Sequence, residues 1–485
     1  MVFRFFLVLL LFAKVSQAQP ISLHTENPHY LSYKGKPILL ITSAEHYGAV
    51  LNLDFDYDTY LETLQKEGMN YTRIFVGSYV EIPGSFGIEK NTLAPKEGKF
   101  IAPWKRTEEV GLFEGEKKFD LKKWNEAYFT RLKDFIAKAS EKDIIVEVTF
   151  FCSTYQDSYW ERNPFNPGNN VNNITNTDRK KSNTLQNENL TNYQKALVNK
   201  IVLELNEFDN IFYEVQNEPW ADDPQKALLT LKTLSPKDLN WAKQSETASK
   251  ASLAWQKEIA DVVYNTETNL PKTHLIAQNY TNFKHSLPRV ESNISIINFH
   301  YAWPEAVWMN YPYNKPISFD ESGFAGSSDT TYLQQAWQFM LAGGAIFNNL
   351  DYSFYVGAED GKGKNNAPGG GSTTFRKQLT YLHRFLTSFD FIEMRPDFGT
   401  VYHAPGVETQ TLSKKGEQYA ICITGPQGDS IKLRLPTGKY TYAFLNPFNG
   451  MEIKKGEIMT KESITTIELP SFDTMLGLKI VAENK

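Results

Sequence analysis

From Pro37 to about Asp390, eight short apolar runs alternate with longer amphipathic segments, and after about Met394 the pattern changes to short alternating strands separated by turn signals. Together these predict a (β/α)8 barrel followed by an all-β sandwich. A third observation weighs against the rival architecture, an open doubly wound sheet. Glu45, His46, Arg73, Glu218, His300 and Glu321 all fall at or near the C-terminal ends of their runs, and in a closed barrel those ends converge on one pocket. At 485 residues the chain exceeds one ordinary domain but fits a barrel with insertions plus a small partner.

The N-terminus begins with Arg4, an apolar run through Phe12, and the small residues Ser16 and Ala18. This reads as a signal peptide over residues 1–18, cleaved after Ala18. A transmembrane anchor would need about twenty apolar residues and meets Lys14 too early; no cysteine follows the run to carry a lipoprotein anchor. The expected location is therefore secreted or periplasmic, with the barrel over 19–393 and the sandwich over 394–485.

The first barrel strand is expected at 38–42, followed by a helix over 56–66, and the second strand at 70–76. A periodic helix over 121–140 places Trp124, Phe129, Leu132, Phe135 and Ile136 on one face. The third strand, 144–151, is interrupted by Glu147, and the fourth ends at Asn217-Glu218. A helix over 241–264 leads to strands at 275–278, 294–300 and 317–321; a helix over 332–340, a strand over 345–350 and a helix over 374–387 complete the set. Near-continuous apolar strands of this kind belong to a parallel sheet covered on both faces. The excursions 78–118 and 153–192 are long enough to be functional rims. A third loop, 357–372, carries Gly369-Gly370-Gly371 without the Lys-Ser/Thr of a phosphate cradle, and reads as mobile. The C-terminal strands at 419–423, 431–435, 440–444 and 465–469 recur near every ten residues, as in a small sandwich. It shows no obvious row of exposed aromatics and is expected to pack against the barrel as a cap.

The net charge of −5 becomes about −7 once Arg4 and Lys14 leave with the signal, which argues against nucleic acid or an anionic membrane as partner. Cys152 and Cys422 both lie in apolar runs and read as buried free thiols, which leaves no disulfide framework or structural zinc site.

The chemistry concentrates in two strand ends. Ile211 to Val215 is largely an apolar run that ends in Gln216-Asn217-Glu218-Pro219. Pro219 stops the strand and fixes the carboxylate at the rim. Pro316 to Gly323 repeats the pattern with Asp320-Glu321 before a glycine turn. Two such glutamates suit glycosidic bond cleavage, one protonating the leaving oxygen and one attacking the sugar. The bland alternative is a salt-bridged rim glutamate. Regular alternation puts Glu214, Gln216 and Glu218 on one face, where Glu214 could pair with Arg73. The same rule sends Asp320 and Glu321 to opposite faces, with Glu321 the inward choice and Asp320 the runner-up. His46 and His300 read as pocket walls, because there is no His-x-His or His-Glu-x-x-His metal signature. Trp220, Tyr301 and Trp303 follow the strand ends and are candidates for sugar stacking, with core or rim packing as the alternative.

As a set, Gly68-Met69-Asn70-Tyr71-Thr72-Arg73, Asn217-Glu218-Pro219, His300-Tyr301 and Asp320-Glu321-Ser322-Gly323 resemble the clan A glycoside hydrolases, retaining barrel enzymes with glutamates after strands four and seven. The resemblance covers about residues 30–390. Within the clan, Asn349-Leu350-Asp351-Tyr352-Ser353-Phe354 is similar to cellulase-like and family-140-like proteins of bacterial polysaccharide utilisation, which also carry a small C-terminal β domain. Strand eight departs from the clan in lacking the tryptophan often found there, which leaves the sugar identity open. The resemblance implies Glu218 as general acid/base, Glu321 as nucleophile and Asn217 as a contact to the sugar 2-hydroxyl. Tyr301 or His300 would orient the nucleophile and Arg73 would hold its charge. The expected partner is a poly- or oligosaccharide substrate, and the protein is expected to be a monomer with no cofactor and no metal. The competing readings are a carbohydrate-binding protein on an inactive barrel and a metal-dependent barrel hydrolase.

Overall fold

The computed structural model describes residues 19–44, 47–112, 116–175, 177–224, 226–231, 241–461 and 464–483. The signal segment, Glu45 and His46 lie outside these residues. Eight parallel strands form the central sheet: β1 (Leu40–Ser43), β2 (Tyr71–Phe75), β3 (Ile145–Cys152), β4 (Ile211–Asn217), β5 (Ile276–Asn282), β6 (Ile296–His300), β7 (Ile317–Ser322) and β8 (Ile346–Asn349). Each pairs with its sequence neighbour from β2 round to β8, and β8 pairs back with β1. All eight are buried along their whole length, as strands covered on both faces must be. Between β1 and β2 two side chains of the second strand's edge bridge the seam, and the Thr72 hydroxyl donates to the Ala44 carbonyl at 2.6 Å. Asn70 accepts from the Ile41 N–H at 3.2 Å and donates to the Leu39 carbonyl at 2.8 Å. The architecture is a (β/α)8 barrel.

The outer helices are α1 (Tyr57–Lys66), α2 (Glu126–Glu141), α3 (Leu190–Leu205), α4 (Lys250–Glu267), α5 (Pro304–Asn310), α6 (Asp329–Leu341) and α7 (Thr373–Thr387). No helix lies between β5 and β6. Two expected helices are shorter than the periodicity suggested. Leu121 and Trp124 belong to a hairpin, Trp104–Val110 with Lys117–Trp124, so α2 starts only at Glu126, although Trp124 still packs on Phe129. Residues 244–247 form a strand paired with 226–229 and capped onto β5, and α4 begins after its N-cap Ser249. Both errors come from an amphipathic strand running into a helix of the same polarity. Among the described residues no helix is long and apolar enough to cross a membrane.

The C-terminal region is two antiparallel sheets of six and three strands. Between them lies a core of Tyr419, Ile421, Ile423, Ile431, Leu433, Ile467 and Leu478. The alternate residues of the larger sheet, Ala420 and Cys422, face the barrel and join its core together with Leu412 and Met475. Gly477 lies so close to the Trp337 indole of α6 that an added Cβ would come within 2.8 Å of it. Cys152 and Cys422 are both buried and free.

Candidate active site

The strand ends place a layered polar network in the barrel mouth, and its deepest layer is carboxylates around one cation. Arg73 of β2 is fully buried. Its Nε donates to Glu214 at 3.1 Å and its Nη2 to both Glu214 and Asn217, the latter at 2.9 Å. The same guanidinium stands 3.4 Å from Asp320 and 3.4 Å from Glu321. The expected Glu214–Arg73 pair is therefore present. Beneath it, Asn298 of β6 donates to Glu147 at 2.7 Å, Glu214 at 2.9 Å and Asp320 at 3.1 Å. Burial, then the charges of Glu214 and Asp320, push the Glu147 carboxyl well above its usual range. It also accepts from the Tyr71 hydroxyl.

Glu218 and Glu321 sit above this layer, each almost fully buried. The Tyr301 hydroxyl reaches both, 3.0 Å from Glu218 Oε1 and 2.7 Å from Glu321 Oε1. His300 Nδ1 is 3.0 Å from Glu218 and 3.4 Å from Glu321. Tyr155, after β3, donates to Glu218 Oε2 at 2.8 Å, while Tyr47, after β1, donates to the second oxygen of Glu321. The nearest ligand atoms of Glu218, His300 and Glu321 all lie within 4.8 Å of one another. Burial alone would raise the Glu321 carboxyl. The charge and hydrogen bond of His300, then Arg73 and Tyr47, outweigh it and bring it down to about 2. For His300, burial opposes the charge, but Glu321 and Asp320 prevail and raise it well above the ordinary histidine value.

Irregular backbone makes this convergence possible. Glu218 has φ 47° and Tyr301 φ 52°, left-handed values that cost bulky residues energy and recur at functional sites. Alternation along β4 fails at Gln216, which bonds Ser153 and, on the helix side, Ser252 of α4. In β7, Phe319 pairs with Phe299 and Glu321 with His300, so Asp320 is an inserted residue. This bulge corrects the expectation that Asp320 faces away from Glu321: both carboxylates reach the barrel interior.

A pocket of about 110 Å³ opens over the pair. Asn217, Glu218, Tyr301 and Glu321 line it. Trp220 and Trp303 are not among the described lining residues. Trp220 is buried edge-on against His300, and Trp303 packs on Phe283 under the Lys284 ammonium. Leu350 and Tyr352 stand where a strand-eight tryptophan was missed. The sequence reading also passed over Glu81, a third pocket carboxyl, which accepts from Tyr79 at 2.8 Å and Asn91 at 2.5 Å. Burial raises it to about 7, against the pull of Asn91 and Tyr79. The glycines 369–371 are packed against Tyr352, Tyr332 and Asp351, so their role is close approach.

No family model and no curated protein matches the chain. Solved structures do. A Bacteroides vulgatus chain described as a candidate glycoside hydrolase aligns over 97% of this chain and 84% of its own, at 12% identity and a TM-score of 0.66. A family 5 glycoside hydrolase from the same species aligns over 96% and 93%, at 13% identity and 0.60. A third, named only as a glycoside hydrolase, covers 96% and 98% at 12% identity and 0.58. At such identities the likeness is one of fold, extending over nearly the whole length.

Among the described residues, two triads could geometrically hold a metal ion: Glu218, His300 and Glu321, and below it Glu214, His300 and Asp320. They share His300, whose raised proton affinity and whose neighbour Arg73 place positive charge on both.

Proposed function

We propose that the protein is a retaining glycoside hydrolase that cleaves β-glycosidic bonds of an oligo- or polysaccharide and is exported from the cell. The observation that carries this reading is the placement of two buried carboxyls, Glu218 and Glu321, with oxygens within 4.8 Å. So close an approach of their nearest oxygens favours the retaining spacing, about 5–5.5 Å between carboxyls, over the inverting one of about 6.5–9.5 Å. Glu321 attacks the anomeric carbon as the bond to the leaving oxygen breaks, and Glu218 gives that oxygen its proton. Water then surrenders a proton to Glu218, attacks the glycosyl ester and frees Glu321. The roles differ because the environments differ: His300, Arg73 and Tyr47 hold the Glu321 charge, which suits it to attack. Asn217, fixed by Arg73, is placed to meet the sugar beside the acid.

Glu321→Ala is expected to lose hydrolysis by more than about 10⁴-fold, with part of it restored by azide or formate attacking the anomeric carbon. Full activity in that variant sinks the assignment. A carbohydrate-binding protein without turnover would release no reducing sugar from a panel of plant and microbial glycans, and a metal-dependent hydrolase would lose activity to a chelator.

A further inference from the structure

The loop after β2 does more than rim the pocket; it crosses the barrel mouth. The Phe86 ring meets Tyr155 and Tyr159 after β3, at 5.1 and 6.1 Å, and Phe324 after β7, at 6.3 Å. Strands three and seven stand on opposite sides of an eight-stranded barrel, so this arch spans it. Phe86 and Phe324 both have φ 56°, strain that persists only where the surroundings impose it.

Behind the arch the loops after β2 and β8 are tied to each other. The Glu89 N–H donates to the Asn366 carbonyl at 2.9 Å. Asn365 accepts from the Lys90 N–H at 3.0 Å and returns a bond to the Lys90 carbonyl at 2.8 Å. The Lys90 ammonium adds Tyr355 and the Lys364 carbonyl. These bonds zip the β2 loop to the β8 loop. On the β1 side, Gly48 touches Thr92 so closely that a Cβ would lie 2.5 Å from its carbonyl oxygen, and Asn52 donates to that same oxygen at 3.0 Å.

Glu218 protonates the leaving group, so that part of the substrate lies on its side of the pocket. The glycone ring then sits over Glu321, in the part of the pocket lined by Glu81, Asn91, Thr92 and Tyr352. Resting on the glycosidase reading above, we infer that this end admits one sugar residue and that the enzyme is exo-acting, releasing single sugars from non-reducing termini. Glu81 and Asn91 are the polar groups placed to read the far hydroxyls of that ring. An endo-acting enzyme needs an open path for further residues on this side, and the zipped loops occupy it.

The test uses the full-length wild-type protein and tetra- to hexasaccharides of β-linked glucan, mannan, xylan and galactan labelled at the reducing end. Each is supplied free and with its non-reducing terminal hydroxyls methylated. The expected result is a ladder that shortens one residue at a time from the first time point, and a rate lowered at least 100-fold by methylation. Phe86→Ala, which opens the arch, should raise the ratio of methylated to free turnover at least tenfold. Mid-chain fragments at early times, or equal rates on both forms, would overturn the single-sugar pocket and leave the glycosidase reading standing. Hydrolysis of neither form of any glycan would overturn both.

Discussion

Arg73 is the residue on which the polar interior depends, because one cation faces Glu147, Glu214, Asp320 and Glu321. Removing one partner of a buried ion pair strands the other, at about 3–5 kcal/mol. Arg73→Met should therefore lower unfolding free energy by that amount in urea titrations, and adding Glu214→Gln should recover part of it; a variant as stable as the wild type would contradict the network. Two other residues give opposite pH signatures. The Glu81 carboxyl is raised from 4.5 to about 7 on folding, so between those values only the folded state keeps the proton. Stability from this group is complete below about pH 4.5 and falls as pH rises to about 7, by about 3 kcal/mol. The Glu321 carboxyl is lowered to about 2; its contribution is present above about pH 4.5 and fades as pH falls toward 2. Melting temperatures of Glu81→Gln and wild type should therefore converge at pH 4 and separate by pH 7, with the variant losing the slope. Arg73, Glu218 and Glu321 were legible because charges amid apolar runs are conspicuous. Glu81, Tyr47 and Tyr155 were not, because they sit in loops where polar residues are ordinary.

At the scale of elements, strand existence was readable and strand geometry was not. Apolar runs located all eight barrel strands, whereas the bulge at Asp320 and the left-handed turns at Glu218 and Tyr301 leave no mark in hydrophobic period. Those irregularities put Asp320 and Glu321 in one interior and bring both glutamates to Tyr301. The β1–β2 seam is another local device that no periodicity reveals. Asn70 contributes two hydrogen bonds to it beside that of Thr72, each worth about 1 kcal/mol. Asn70→Ala is expected to cost about 2 kcal/mol and to raise amide exchange at Ile41 above that of β4. Unchanged exchange at Ile41 would show that Asn70 does not hold the seam.

At the scale of the whole molecule, the sandwich shares a core with the barrel. Leu412, Ala420, Cys422 and Met475 lie in one cluster with Trp337 and Phe385, and Gln338 of α6 donates to Thr424 at 2.9 Å. Barrel and sandwich should unfold in one calorimetric transition. Gly477→Ala, which overpacks against Trp337, should lower stability by about 1–3 kcal/mol; two separated transitions in the wild type would contradict a shared core. The shared core gives the barrel a fixed flank, and the catalytic claim rests on the mouth above it. The most direct test of that claim is covalent trapping with 2-deoxy-2-fluoroglycosyl fluorides, followed by peptide mass mapping. One fluorosugar attached to Glu321, with turnover stopped in proportion to labelling, is the expected result. A label on another residue, or a product of inverted anomeric configuration from an unlabelled enzyme, would contradict the account.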